Sequence, residues 1–149
     1  MRDHIVRLDE LMPLIREQLA AGASVRFSPH GTSMLPMLKD GRDQVILSPL
    51  PDKLRKYDLP LYQRENGQYV LHRIVKVKDG YTCMGDNQFV PEKGLRRDQM
   101  IAVVTCFVRK GKAYSTECLA YRAYCRFWCA VRPIRRFLGR IRSVFRRCV

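Results

Sequence analysis

The chain has 149 residues and a formal charge of +14, from 28 Lys+Arg against 14 Asp+Glu. That length suits one domain with an appendage, and an apolar fraction of 46% excludes wholesale disorder. The longest stretch without Asp, Glu, Lys or Arg, Phe27–Leu38, has twelve residues, against the ~20 apolar residues of a spanning helix. The start MRDHIVRLDE mixes both charges, so neither a membrane span nor a signal peptide is expected.

In chain order, Ile5, Val6, Leu8, Leu11, Met12, Ile15 and Leu19 recur at helical spacing. They predict a helix over 3–21, interrupted or kinked at Pro13 and stopped at Gly22. From Ser24 the period becomes that of strands: SVRFS, QVILS, LPLY, YVLHRIVKV, YTCM and MIAVVTCFV. Pro29-His30-Gly31, Asp40-Gly41, Asp79-Gly80 and Gly111-Lys112 mark turns between them. Val70–Met84, centred near Asp79-Gly80, reads as the strongest hairpin. The expectation is a mainly β core over 24–110 with about six short, antiparallel strands, closed or strongly twisted. Beyond Lys112 the helical period returns over 117–131 and 133–148. The domain reading is therefore 1–112, a helix and a β core, followed by a basic helical extension over 113–149.

Three short stretches of the core could carry chemistry. Gly31-Thr32-Ser33-Met34-Leu35-Pro36 sets a hydroxyl on a tight turn, which suits a presented nucleophile and also an ordinary turn. In Leu71-His72-Arg73-Ile74, strand alternation puts His72 on the face of Val70 and Ile74, with Leu71 and Arg73 on the other. A partly buried imidazole stays neutral, the form a general base needs; a satisfied core histidine has the same pattern. Gly85-Asp86-Asn87 follows the hairpin's return strand, where the carboxylate could orient a histidine or cap a turn. The six cysteines (83, 106, 118, 125, 129 and 148) read as free thiols in a chain without an export signal. Cys125-x3-Cys129 has no second pair and no nearby histidine, so neither metal nor cofactor is expected.

Together these stretches resemble the signal peptidase/LexA-type serine peptidase superfamily over about residues 24–108, with every box in family order. The nucleophile box G-x-S-M-x-P-x-L is matched by Gly31-Thr32-Ser33-Met34-Leu35-Pro36-Met37-Leu38. The family's G-D-x-V strands resemble Gly41–Val45 and Tyr57–Tyr62, and its closing strand resembles Asp98–Val104. His72-Arg73-Ile74 resembles the base box of the ER and SipW types, and Gly85-Asp86-Asn87 the Gly-Asp-Asn box. The resemblance implies a β-rich peptidase core, with Ser33 as nucleophile and His72 as base. It implies an orienting acid at Glu92, six residues beyond the box aspartate, with Asp86 as the rival. Gly31, Thr32, Met34, Pro36 and Arg73 are the implied oxyanion and substrate contacts. Gly31 stands where many signal peptidases have Ser, as in LexA-type proteins, so the oxyanion hole rests on backbone N–H groups. Without an upstream membrane helix the site is expected on the cytoplasmic side. Ala21-Gly22 resembles the bond that LexA-type proteins cut in themselves, but a helix C-cap is the favoured reading.

The charge is uneven. Residues 113–149 hold nine arginines, no lysine and one glutamate, +8 of the +14. On a helix over 133–148, Ile134, Phe137, Leu138, Ile141, Val144, Phe145 and Cys148 fall in one arc of about 120°, and all six arginines fall outside it. Such a helix either covers the core or lies on an anionic membrane surface, with Ile134, Phe137, Leu138, Ile141 and Phe145 facing the lipid. Nucleic acid is not favoured, because a phosphate-binding arm needs no continuous apolar stripe. The function expected from the sequence is a serine endopeptidase acting on a leader-like or extended peptide, in the cytoplasm or peripherally on the inner leaflet. The alternatives are a non-catalytic peptide-binding module of the same fold and a basic membrane or nucleic-acid adaptor.

Overall fold

The computed structural model describes residues 8–147, with side chains through Arg142; Ile5, Val6 and Cys148 of the expected helices lie outside them. Helix α1 (Leu8–Ala20) turns Met12, Ile15 and Leu19 inward, and it runs through Pro13, which faces solvent. Its end is a Schellman motif. Ala23 N–H donates to Gln18 O at 2.9 Å and Gly22 N–H to Leu19 O at 3.0 Å, with Gly22 at φ +78°. The Ala21-Gly22 bond is thus part of a helix stop.

Nine strands follow among the described residues: β1 (Val25–Phe27), β2 (Asp43–Ser48), β3 (Pro60–Gln63), β4 (Tyr69–Leu71), β5 (Arg73–Val77), β6 (Tyr81–Met84), β7 (Glu92–Leu95), β8 (Met100–Arg109) and β9 (Lys112–Ser115). The core is mainly β and antiparallel, but it forms two sheets. One runs β1-β2-β8-β3-β4, with β9 also on β8, and the other runs β5-β6-β7. Strand β8 carries β2 on one edge, while β3 and β9 share the opposite edge in sequence. Helices α2 (Leu119–Ala130) and α3 (Arg132–Arg147) close the chain. No described helix is long and apolar enough to cross a membrane.

The alternating period of the strands divides the core in two. On β3, Leu61 enters a cluster with α1, Val45, Leu47 and Phe107, whereas its neighbour Tyr62 enters a second cluster with Ile74, Cys83 and Leu95. Asp43 is buried at the edge of the larger sheet. Burial pushes its carboxyl up, but hydrogen bonds from Arg42, Arg109 and Lys39 N–H hold it well below the usual carboxylate range.

Two differences from the sequence reading matter for the site. The stretch YVLHRIVKV is broken at His72, so β4 belongs to one sheet and β5 to the other. The break is held by the preceding loop: Ile74 N–H donates to Asp58 O and Tyr57 N–H to Ile74 O, both at 2.8 Å. Second, the extension is not a separate appendage. Strand β9 crosses the expected boundary at 112, and Tyr121 and Cys125 of α2 are buried in the larger cluster. The turn before β9 is Lys110-Gly111, both at positive φ as a tight hairpin requires, one residue earlier than expected.

Candidate active site

Ser33 lies on the loop between β1 and β2, which is tied down from both ends. His30 Nδ1 and Gly31 N–H meet the Asp40 carboxylate at 2.9 and 3.2 Å, and Leu38 N–H donates to Met34 O at 2.9 Å. The loop rests on the turn after β6. Asn87 N–H donates to Ser33 O at 2.9 Å, and Asn87 Nδ2 donates to Thr32 O at 3.2 Å. Gly85 is required at this contact, because a Cβ there would stand 2.5 Å from Ser33 O. Among the described residues, neither Ser33 N–H nor Met34 N–H donates to a backbone carbonyl. The Met34 side chain is buried in the core and anchors the loop, so its side chain is not a substrate contact. Pro36, Gly31 and Thr32 stay on the outside.

His72 stands at the break between the sheets. His72 immediately precedes β5, whose first residue, Arg73, pairs with Met84 across the β5–β6 hairpin, and Ser33 O rests against Gly85, the residue after Met84. The imidazole is 3% exposed. Its Nδ1 lies 3.4 Å from Glu92 Oε1 and 3.3 Å from the Tyr62 hydroxyl. With the proton on Nδ1 facing the carboxylate, Nε2 is the basic nitrogen, and it has no hydrogen-bond partner among the described residues. Among the same residues the Ser33 hydroxyl makes no hydrogen bond, to His72 or to any other group. Burial pulls the His72 pKa below its ordinary value against the opposing pull of Glu92, and Arg64 adds to the lowering. The net direction favours the neutral imidazole.

The two candidate acids have separate surroundings. Glu92 opens β7, opposite Cys83 on β6, and the Arg64 guanidinium grips both its oxygens. Burial raises the Glu92 carboxyl, but the Arg64 hydrogen bonds and charge outweigh this and keep it ionised. Asp86 is fully buried and binds Arg73 through two hydrogen bonds of 2.8 Å. Tyr124 OH donates to the same carboxylate at 3.0 Å. Of the two, Glu92 faces the imidazole and Asp86 is held by Arg73.

Arg73 is the largest fully buried side chain. Besides Asp86, it donates to Tyr57 O at 3.2 Å, and to Tyr121 OH and Cys125 Sγ at 2.8 and 2.9 Å. Its expected role in oxyanion or substrate binding is corrected: every face of the guanidinium is enclosed, so it braces α2 against the core. The two-residue period survives the break, since His72 touches Tyr62 in the smaller cluster while Arg73 points with Leu71 toward the larger one.

Sequence reasoning missed Tyr62 and Arg64, which flank the histidine and its carboxylate, because Tyr62 only closes a strand box and Arg64 belongs to no motif. It also missed that Tyr121, Tyr124, Cys125 and Trp128 share one side of α2 and converge on Arg73–Asp86, with Trp128 Nε1 donating to Asp86 O at 2.9 Å. Their i, i+3, i+4, i+7 spacing is a readable inward stripe. Of the expected membrane-facing residues, Ile134, Phe137, Leu138 and Ile141 are exposed on α3, and the Phe145 side chain lies outside the described residues. Comparison with models of known families, with curated proteins and with solved structures finds no match to this chain.

Proposed function

We propose that the chain is a serine endopeptidase in which Ser33 is the nucleophile, His72 the general base and Glu92 the orienting acid. The observation that carries this reading is the placement of His72: buried, its Nδ1 3.4 Å from the Glu92 carboxylate and its Nε2 uncommitted. A serine hydroxyl is a weak nucleophile at pH 7 and needs such a base. Ser33 Oγ attacks the peptide carbonyl while Nε2 takes its proton, and the Ser33 and Met34 N–H groups receive the oxyanion. The protonated imidazole, stabilised by Glu92, passes the proton to the leaving amine. Water then attacks the acyl-serine with the same base, releasing the acid product and free Ser33.

The order of the Ser33, His72-Arg73 and Gly85-Asp86-Asn87 boxes supports placing this chemistry in the signal peptidase/LexA-type superfamily. The substrate is an extended peptide, which can dock by main-chain hydrogen bonds as an added strand. Incubating wild type, Ser33→Ala and His72→Ala with a peptide library and reading the products by mass spectrometry tests this reading. Cleavage is expected from wild type alone. Cleavage that survives in Ser33→Ala overturns the nucleophile assignment. Binding without cleavage by the wild type leaves a peptide-binding module instead.

A further inference from the structure

Outside the candidate active site, the arginines of α3 are the least satisfied groups among the described residues. Arg132 Nε and Nη2 and Arg135 Nη1 are buried without a hydrogen-bond partner. Charged donors in that position are costly and call for an acceptor. Arg135 is otherwise fixed, stacked 3.6 Å over the Trp128 ring and donating to Asp86 O at 3.0 Å. Burial, and then the charge of Arg132, pull its pKa below the ordinary arginine value.

Arg132 borders a groove of about 660 Å³ between α3 and the segment that follows β6. Met84, Phe89 and Pro91 form one wall, and Arg132, Arg136 and Phe137 belong to the other. Phe137 also belongs to the stripe that the sequence marks as apolar. That stripe does not cover the core: Ile134 is 61% exposed, Phe137 64% and Leu138 53%. A ridge of cations thus adjoins an uncovered apolar face along one helix. A bound nucleic acid would supply phosphates but leave that face in water. An anionic phospholipid satisfies both halves, with its phosphate as acceptor and its acyl chains against the apolar stripe.

We propose that α3 and the adjoining groove bind anionic phospholipid at a membrane surface, the headgroup phosphate accepting from Arg132 and Arg136 while Ile134, Phe137 and Leu138 enter the acyl boundary. Phe89 and Pro91 lie just before Glu92 in the chain, so the lipid surface runs beside the candidate active site. Lipid binding of this kind does not depend on that site being catalytic.

The single tryptophan, Trp128, is stacked on Arg135 and makes a local reporter. The full chain is mixed with vesicles of phosphatidylcholine alone, or of phosphatidylcholine with phosphatidylglycerol, and followed by co-sedimentation and tryptophan emission. Wild type should partition at least roughly tenfold more strongly to the anionic vesicles, with a change in emission. Ile134→Ser/Phe137→Ser, which alters only exposed side chains, and Arg132→Gln/Arg136→Gln should each lose most of that binding. Circular dichroism establishes that each variant is folded, and the exposed-face variant decides alone if the arginine variant is not. Equal partitioning to the two vesicle types, or unchanged binding by the exposed-face variant, overturns the proposal. So does an oligonucleotide that displaces the vesicles and binds the exposed-face variant as tightly as wild type, which would make α3 a nucleic-acid arm.

Discussion

Replacing Asp86 by Asn separates the two acids by their consequences. Asp86 and Arg73 are both 0% exposed, and their two 2.8 Å hydrogen bonds form the centre onto which Tyr124 and Trp128 of α2 close. Neutralising one member of a buried pair leaves the other as an uncompensated charge, at a cost of about 3–5 kcal/mol. In a chain of this size each kcal/mol moves the melting temperature by ~2–4 °C, so Asp86→Asn should melt roughly 6–20 °C lower. Glu92→Gln removes an ion pair whose members are 34% and 25% exposed; such a pair contributes only about 0.2–1 kcal/mol, so its melting temperature should barely change. Arg73→Met/Asp86→Leu should recover part of the loss, because an apolar pair of similar volume carries no unpaired charge. Recovery is incomplete because Tyr57 O and Tyr121 OH lose their donor. Thermal unfolding by circular dichroism at neutral pH reads all four proteins. An Asp86→Asn variant that melts within about 2 °C of wild type would refute the brace.

Two further outcomes bear on the site. Peptidase activity should rise with pH as His72 loses its proton, with a midpoint below the ordinary histidine value of about 6.5. Glu92→Gln should move the midpoint lower still, since that carboxylate favours the imidazolium, and Arg64→Gln should move it higher; a pH–rate series in which Glu92→Gln raises the midpoint contradicts the Glu92–His72 contact. Gly85→Ala should drive the Ser33 loop off its seat, because the added methyl would meet Ser33 O at 2.5 Å. Overpacking of this kind costs about 1–3 kcal/mol, and the variant should lose activity more than stability, as kinetics and melting together would show.

Much of this arrangement is legible in the amino-acid sequence. The Ser33 turn and the Gly85-Asp86-Asn87 turn are marked by glycine, proline and Asx chemistry, and they meet through Asn87. The choice between the acids is hidden, because it depends on β7. Glu-Lys-Gly-Leu has neither the alternation nor the β-branched residues of a strand, and it becomes one by pairing with β6. The enclosure of Arg73, expected to contact oxyanion or substrate, is not legible either, because it depends on α2 arriving from 48 residues later. The break at His72 is equally illegible, since YVLHRIVKV is uniform in strand character. It arises from the Tyr57–Asp58 loop capturing Ile74, a tertiary override of local preference.

Covalent capture tests most directly whether Ser33 is a nucleophile activated by a neutral His72. Wild type, Ser33→Ala and His72→Ala are treated at pH 7 with a serine-directed fluorophosphonate, and the modified residue is mapped by tandem mass spectrometry. A single adduct on Ser33 is expected in wild type and none in Ser33→Ala, with labelling slowed by roughly a hundredfold or more in His72→Ala. A wild type that labels elsewhere, or a His72→Ala variant that labels Ser33 as fast as wild type, would contradict that assignment.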